Sequence, residues 1–521
     1  MGGFAVNSAL VIFGLFLGSL QGFFPVASSF EFKHHDNREL LQVLETVHQT
    51  CPNITRIYTL SETSVMGVPL YVIEFATQPG QHEALRPEFK YIANMHGNEV
   101  LGRELLLKLA DYLCEQYRAN DPEIRSLISK TRIHLLPSMN PDGWKLSTDQ
   151  GGQDYLLGRS NANSVDLNRD FPDLDRIIFG NEVLHINHNN HLMDQLTQLD
   201  HPVQPETLAV MRLIMSIPFA LSANMHGGDL VANYPYDASR SGASSEYTET
   251  PDDETFRYLS LSYSLPHPTM ASPKRRACEL NDGENFGKTQ GIVNGAKWYS
   301  VRGGMQDFNY LSSNDFEITL ELGCKKYPPQ QELQGEWNAN KASLINFMWQ
   351  VHTGVKGIVR DSIAGKPISN ALIHVKNITQ INSTHAVSQH INHDVTSVFD
   401  GDYFRLLTPG QYLLTASYSG YKPQTRRVKV QNPRHHEATR LDFWLEPVDS
   451  SGPEFVPLPS SVEAEVSPKS NGYFRDDNPL TNDFSQIHGY GNENQEANQE
   501  NLTPPSKDWL VKFMYQQIAN M

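Results

Sequence analysis

Residues 89–113, FKYIANMHGNEVLGRELLLKLADYL, hold the pattern that decides the fold. Residues 89–95 form a mostly apolar run of strand length, and Leu101, Leu105, Leu109 and Tyr112 then recur at helical spacing. A second apolar run of strand length, 132–136, follows. Strand, helix and strand in that order predict parallel pairing within a buried sheet. The same alternation extends on both sides. Residues 56–60 and 70–75 read as strands around a turn-rich 64–67, and 207–217 as a helix leading into a strand at 219–224. Strand 316–322 precedes a helix carrying Leu344, Phe347, Met348 and Val351. Residues 30–352 are therefore expected to form one α/β domain around a central mixed, largely parallel sheet.

Near Gly354 the texture changes. Residues 356–360, 371–375, 401–407, 412–418 and 426–430 are short β-rich runs separated by Gly, Pro and Asn. Residues 353–447 are accordingly expected to be a small all-β sandwich. Residues 448–505 are rich in Ser, Pro, Asn, Glu and Gln, with Lys469 and Arg475 their only basic pair, and read as a disordered acidic linker. In 506–521, Trp509, Leu510, Phe513, Met514, Ile518 and Met521 share one broad helical face behind a possible N-cap at Ser506. That amphipathic helix is expected to lie on a membrane interface or in a partner groove, or else to dock on the catalytic domain.

The chain has 521 residues and a formal charge of −17. That balance excludes a general nucleic-acid binder, which needs a basic face, and is compatible with a cationic substrate. The apolar run 9–20 has the length of a signal-peptide core and is too short to cross a bilayer, although no Lys or Arg precedes it. With small residues following, 1–28 reads as a signal peptide and the secretory pathway as the compartment. Asn53, Asn377, Asn382 and Asn501 then become candidate glycosylation sites. Four cysteines leave three pairings open, and Cys114, at helical spacing from Leu107 and Ala110, faces inward. A buried thiol is the alternative there. Lys274-Arg275-Arg276 is a basic loop that is either a processing site or a solvated charge run.

Four elements carry chemistry. His96-Gly97-Asn98-Glu99 leaves the carboxyl end of strand 89–95, where open α/β sheets place their sites. His and Glu three apart supply nitrogen and carboxylate ligands to one zinc ion, a weak signal alone because chance gives roughly one such spacing. His226 leaves strand 219–224 in the same way, ahead of Gly227-Gly228, and completes a His₂Glu set with a fourth position open. By itself it would more often be an ordinary surface histidine. Strand 316–322 puts Glu317, Thr319 and Glu321 on one face. A carboxylate at the end of a buried strand is costly unless paired or at work, and Glu321 suits a general base. Gly158-Arg159 and Asp166-Leu167-Asn168-Arg169-Asp170 bring Arg forks suited to a carboxylate or an oxyanion, or else form a solvated loop.

In that order the chain resembles the regulatory group of zinc metallocarboxypeptidases, through HGNEVLGRELL, NPDGW, GRSNANSVDLNRDFPDLDR, LSANMHGGDLVANYPYD and GGMQDFNYLSSNDFEITLELGC. The later GVKGIVRD and GDYFRLLTPGQYLLTAS match the group's transthyretin-like sandwich, so the resemblance runs from about residue 30 to 447. It implies one zinc ion per catalytic domain on His96, Glu99 and His226, Glu321 as general acid/base, and Arg159 polarising the scissile carbonyl. It implies that Asn168, Arg169 and Tyr310 hold the substrate carboxylate, that Asp166 orients His96, and that Asp237 recognises a C-terminal Lys or Arg. It pairs Cys278 with Cys324 and Cys51 with Cys114. The substrates implied are peptides ending in Lys or Arg, as in prohormone processing. Three departures stand out: Asp170 for a usual Asn, which is expected to oppose carboxylate binding mildly, Asn163-Ser164-Val165 for a Gly-rich loop, and Asp315 where relatives often carry Cys. The rival expectation is a non-catalytic peptide-binding or sorting protein on the same fold.

Overall fold

The computed structural model describes residues 1–2, 30–199, 201–278, 284–380 and 386–448. The rest of the expected signal segment, nearly all of the expected linker, the C-terminal helix, Asn382 and Asn501 lie outside these residues. Asn53 is exposed and Asn377 half-buried.

Asp36 starts the first helix, Asn37–Thr50. Its carboxylate accepts from the N–H groups of Arg38 and Glu39, and the Glu39 side chain accepts in return from the Asp36 N–H, a reciprocal cap that satisfies otherwise orphaned donors. The central sheet comprises β1 (Thr55–Thr63), β2 (Pro69–Phe75), β3 (Glu88–Ala93), β4 (Arg132–Leu136), β5 (Phe219–His226), β6 (Leu230–Tyr234), β7 (Ile292–Asn294) and β8 (Phe316–Leu322). Their spatial order is β1-β2-β4-β3-β5-β8-β6-β7. Strands β4, β3, β5 and β8 pair parallel in the middle, with antiparallel pairing at β1–β2, β2–β4 and β6–β8. Every residue of β3, β4, β5 and β8 is buried, as expected of parallel strands covered on both faces. The helix Leu101–Arg118 buries Leu105, Leu109 and Leu113 on one side. Strands β6 and β7, five and three residues long, are the two of this sheet that the sequence pattern does not mark.

The sandwich sets one sheet, β11 (Ala386–Thr396), β10 (Leu372–Gln380), β13 (Gly410–Ser417) and β15 (Gln424–Val430), against another. The second contains β12 (Asp402–Arg405), β9 (Val355–Asp361), β17 (Phe443–Pro447) and β14 (Tyr421–Lys422), with β16 (Thr439–Arg440) beside β9. The junction with the α/β domain is polar and ordered. Asp402 accepts from Leu85 N and faces His82, and Asn190 donates to the backbone oxygen of Asp394.

Disulfides join Cys51 to Cys114 and Cys278 to Cys324, across 63 and 46 residues, each worth about 2–4 kcal/mol. The second ties down the loop just after β8. Arg275 is partly spent on the fold, donating to the backbone oxygens of Met270 in its own loop and of Leu230 at the start of β6. Asp315 has a structural partner: it binds Lys90, a lysine only 1 % exposed, together with Glu317 and Ser222. A buried ammonium needs such company.

Candidate active site

Parallel register sets the site. His226 ends β5 and is the direct partner of Glu321 on β8, so the two side chains leave the sheet on the same face. His96 and Glu99 occupy the loop after β3, the strand on the other side of β5. Asn94 holds that loop in shape. It sits at φ +59°, and its amide donates to the backbone oxygens of His96, Gly97 and Glu99. At Gly97 only glycine fits, because a Cβ would stand 2.2 Å from the backbone of Gly143 and Trp144.

The donor atoms converge. His226 Nδ1 lies 2.8 Å and His96 Nδ1 3.1 Å from Glu99 Oε2, and the two imidazole nitrogens are 3.1 Å apart. His96 Nε2 lies 2.9 Å from Asp166 Oδ1, which fixes the ring proton on Nε2 and turns the Nδ1 lone pair inward. A carboxylate and two imidazoles then aim lone pairs at a common point, an arrangement that calls for a cation. Two nitrogens and one oxygen suit zinc. Among the described residues this is the one His/Cys/Asp/Glu cluster with ligand geometry. His226 Nε2 is buried with no partner among the described residues.

Charged groups brace this set. Arg159 donates to Asp166 Oδ2 through Nε at 3.1 Å, and its Nη1 lies 3.3 Å from Glu99 Oε1. Lys326 Nζ stands 3.2 Å from the same oxygen. Burial pushes the Asp166 carboxyl up, but the hydrogen bond and charge of His96, with Arg159 and Arg169, outweigh it and hold Asp166 well below the carboxylate range. Glu321 moves the other way: burial, then the charges of Glu99 and Asp229, raise it. Its Oε2 has no partner among the described residues. A carboxylate eager for a proton beside a cation site is equipped as a general base.

A cavity of about 260 Å³ opens over these residues, and Arg159, Asn168, Asp237 and Tyr299 share its walls. Asp237 is 4 % exposed. Burial, with Asp307 adding to it, raises its carboxyl well above the ordinary value. Gln306 donates to its Oδ1 at 3.0 Å. Gly295 makes room for that oxygen, since a Cβ there would lie 1.7 Å away.

Two sequence expectations need correction. Tyr310 does not line the cavity. It is 0 % exposed, its hydroxyl donates to Asp252 Oδ2 at 2.9 Å, and its ring stacks on His393. The helix Met305–Ser312 turns it into the core, and the tyrosines in the cavity wall are Tyr155 and Tyr299. Asp170 does not oppose substrate either: its oxygens accept from Gln204 N and lie 3.1 Å from His201 Nε2. Arg169 is exposed and lines an adjoining hollow rather than the cavity itself. Its charge is still felt at Asp237 and Tyr299. Tyr299, Lys326 and Asp229 are wall residues that sequence reasoning missed. Tyr299 carried a faint signal, five residues before the Gly304-Met305-Gln306-Asp307 stretch.

Comparison with known proteins agrees with this geometry. Residues 40–343 match the zinc carboxypeptidase family model, and residues 354–446 match the carboxypeptidase regulatory-like domain. The catalytic chain of carboxypeptidase N from Rattus norvegicus is 49 % identical over 406 residues, covering 77 % of this chain and 83 % of that one. Its Homo sapiens counterpart is 46 % identical over 460 residues, covering 86 % and 94 %. Carboxypeptidase E from Caenorhabditis elegans is 43 % identical over 422 residues, covering 80 % and 88 %.

Proposed function

The chain belongs to the zinc carboxypeptidase family, and we propose that it removes C-terminal Lys or Arg from peptides in the secretory pathway, using one zinc ion. The observation that carries this reading is a single cavity containing both the His96–Glu99–His226 set with Glu321 beside it and a buried, cation-seeking Asp237. Bound zinc would supply Lewis acidity to the scissile carbonyl and to water. Asn168, with Arg169 at the rim and Tyr299 in place of Tyr310, would hold the terminal carboxylate. Arg159 would donate to the oxygen of the scissile carbonyl as negative charge develops there. Glu321 would take a proton from water and return it to the leaving amine. Asp237 would meet the substrate's cation, an Arg fork somewhat better than a Lys ammonium.

Processing of prohormone intermediates, a role close to that of a carboxypeptidase E, is the finer part of the proposal. It is supported by the signal-like N-terminus and the basic specificity assigned to Asp237. Peripheral membrane contact through 506–521 belongs to the same proposal. Among the described residues no helix is long and apolar enough to cross a membrane. The deciding experiment measures amino acids released from peptides ending in Arg, Lys, Leu or Phe, with and without a chelator. Release of Arg and Lys that a chelator stops supports the reading. Equal release of Leu and Phe removes the specificity, and no release at all returns the chain to the class of binding or sorting proteins.

A further inference from the structure

Arg405 belongs to the sandwich, on β12, yet it is 0 % exposed because it reaches into the α/β domain. Its Nη2 lies 2.9 and 3.1 Å from the two carboxylate oxygens of Asp252, the residue preceding the helix Asp253–Ser264. Asp252 Oδ2 also accepts the hydroxyl of Tyr310 at 2.9 Å. The Tyr310 ring lies flat on His393, another sandwich residue, with centroids 3.7 Å apart. The sandwich thus grips Tyr310 twice, at the ring directly and at the hydroxyl through Asp252.

Tyr310 sits in the second turn of the helix Met305–Ser312, and the first turn of that helix holds two residues of the cavity wall, Asn168 and Asp237. Met305 N donates to Asn168 Oδ1 at 3.0 Å, Gln306 Nε2 to Asp237 Oδ1 at 3.0 Å, and Asp307 Oδ2 accepts Asp237 N at 2.6 Å. The helix is eight residues long, about 12 Å at 1.5 Å per residue, so one short element joins Tyr310 to the residues that hold the wall. We propose that Arg405 is a positioning residue for the substrate pocket, setting Asp237 and Asn168 through Asp252, Tyr310 and this short helix. The inference rests on the reading of Asp237 and Asn168 as substrate contacts.

The sandwich is then part of the specificity apparatus of the α/β domain. A misplacement of about 1 Å at groups that orient a substrate can cost on the order of a hundredfold in rate. A purely structural Arg405 could change thermal stability in either direction but would leave KM where it is.

The test uses the full-length, zinc-loaded protein as wild type, as Tyr310→Phe, and as Asp252→Asn combined with Arg405→Met. The combined variant removes both charges together, so that neither is left buried alone. For a peptide ending in Arg we expect KM to rise about tenfold in the combined variant and about twofold in Tyr310→Phe, with kcat within about twofold, the signature of lost ground-state and transition-state binding alike. KM for a peptide ending in Leu should rise as well, since Asn168 meets any terminal carboxylate. Zinc content should not change. Variants with lowered Tm but wild-type KM for both peptides overturn the proposal. Should the combined variant fail to fold, Tyr310→Phe decides alone, and an unchanged KM overturns it. A wild type that does not prefer Arg over Leu sinks the Asp237 reading instead, and the Leu peptide still tests the coupling.

Discussion

Two sides of one cavity are built on opposite terms. On the zinc side, His96 and Glu99 are braced from behind: Asp166 holds His96, Arg159 and Lys326 reach Glu99, and Gly227 N lies 3.2 Å from Glu99 Oε2. On the specificity side, Asp237 is buried among further acids, Asp307 and Asp175, and burial raises all three carboxyls. The first region is shaped before anything binds. The second is left short of positive charge, which on the proposed reading a cationic substrate would bring. Preorganisation and deliberate incompleteness therefore serve different ends within about 260 Å³.

Removing the metal should break the comparison most completely. Chelation should abolish hydrolysis and added zinc should restore it, whereas a site active without metal would void the role given to His96, Glu99 and His226. Next comes Glu321→Gln, which keeps the shape and removes the base. The expected loss is about 10²–10⁴-fold in kcat, the usual range for general acid–base catalysis, with zinc content unchanged. A Glu321→Gln protein as fast as the parent would leave binding as the function.

Asp237→Ala tests the other side. kcat/KM for C-terminal Arg should fall by about 2–5 kcal/mol, the range for truncating one partner of a buried charge pair, while activity on C-terminal Leu holds or rises. Equal losses on both would make Asp237 structural. Asp166→Asn is smaller and belongs to the zinc side. Loss of an outer partner typically costs about 10–100-fold in metal affinity or activity, and competition with a chelator reads it. A variant that lost Arg selectivity rather than zinc affinity would merge the two regions.

How far this contrast can be read from sequence depends on which residues carry it. The loop after β3 is legible because the apolar run gives out at Met95, two residues past the end of β3 at Ala93. Glu321 is legible because β8 alternates. That His226 would stand beside Glu321 is not, since register between strands 95 positions apart (321 − 226) is settled by packing. The tyrosines show the limit most clearly. Tyr299 and Tyr310 flank the same glycines, and only the turn of a short helix decides which faces the cavity and which the sandwich. Strand β11 went unread because its polar residues, Ser388-Gln389-His390, lack the apolar alternation that marks a half-buried strand. The cysteine pairing, left open by counting, rested on the family resemblance and agrees with both bridges seen.

The finest test of the contrast lies beneath the specificity wall. Asp175 is 3 % exposed and hydrogen-bonds Asp307, which in turn receives the backbone N–H of Asp237. Burial raises the Asp175 carboxyl from 3.8 to about 8, despite the opposing hydrogen bond from Asp307. The folded protein therefore keeps a proton there that the unfolded chain has released. For a group whose pKa is higher when folded, the contribution to stability is fully present below the unfolded value and is lost as pH rises through the folded one. From this group the α/β domain should lose stability steadily as pH rises from about 4 to about 8, and no further beyond that. Asp175→Asn mimics the protonated acid, so the variant should unfold at a Tm less dependent on pH between 5 and 8, by about 2–4 °C for each kcal/mol the proton contributes. Its preference for Arg over Leu should change little. An Asp175→Asn protein with the parent's pH slope would mean that the proton resides elsewhere in the cluster, and Asp307→Asn would then be the variant to flatten it.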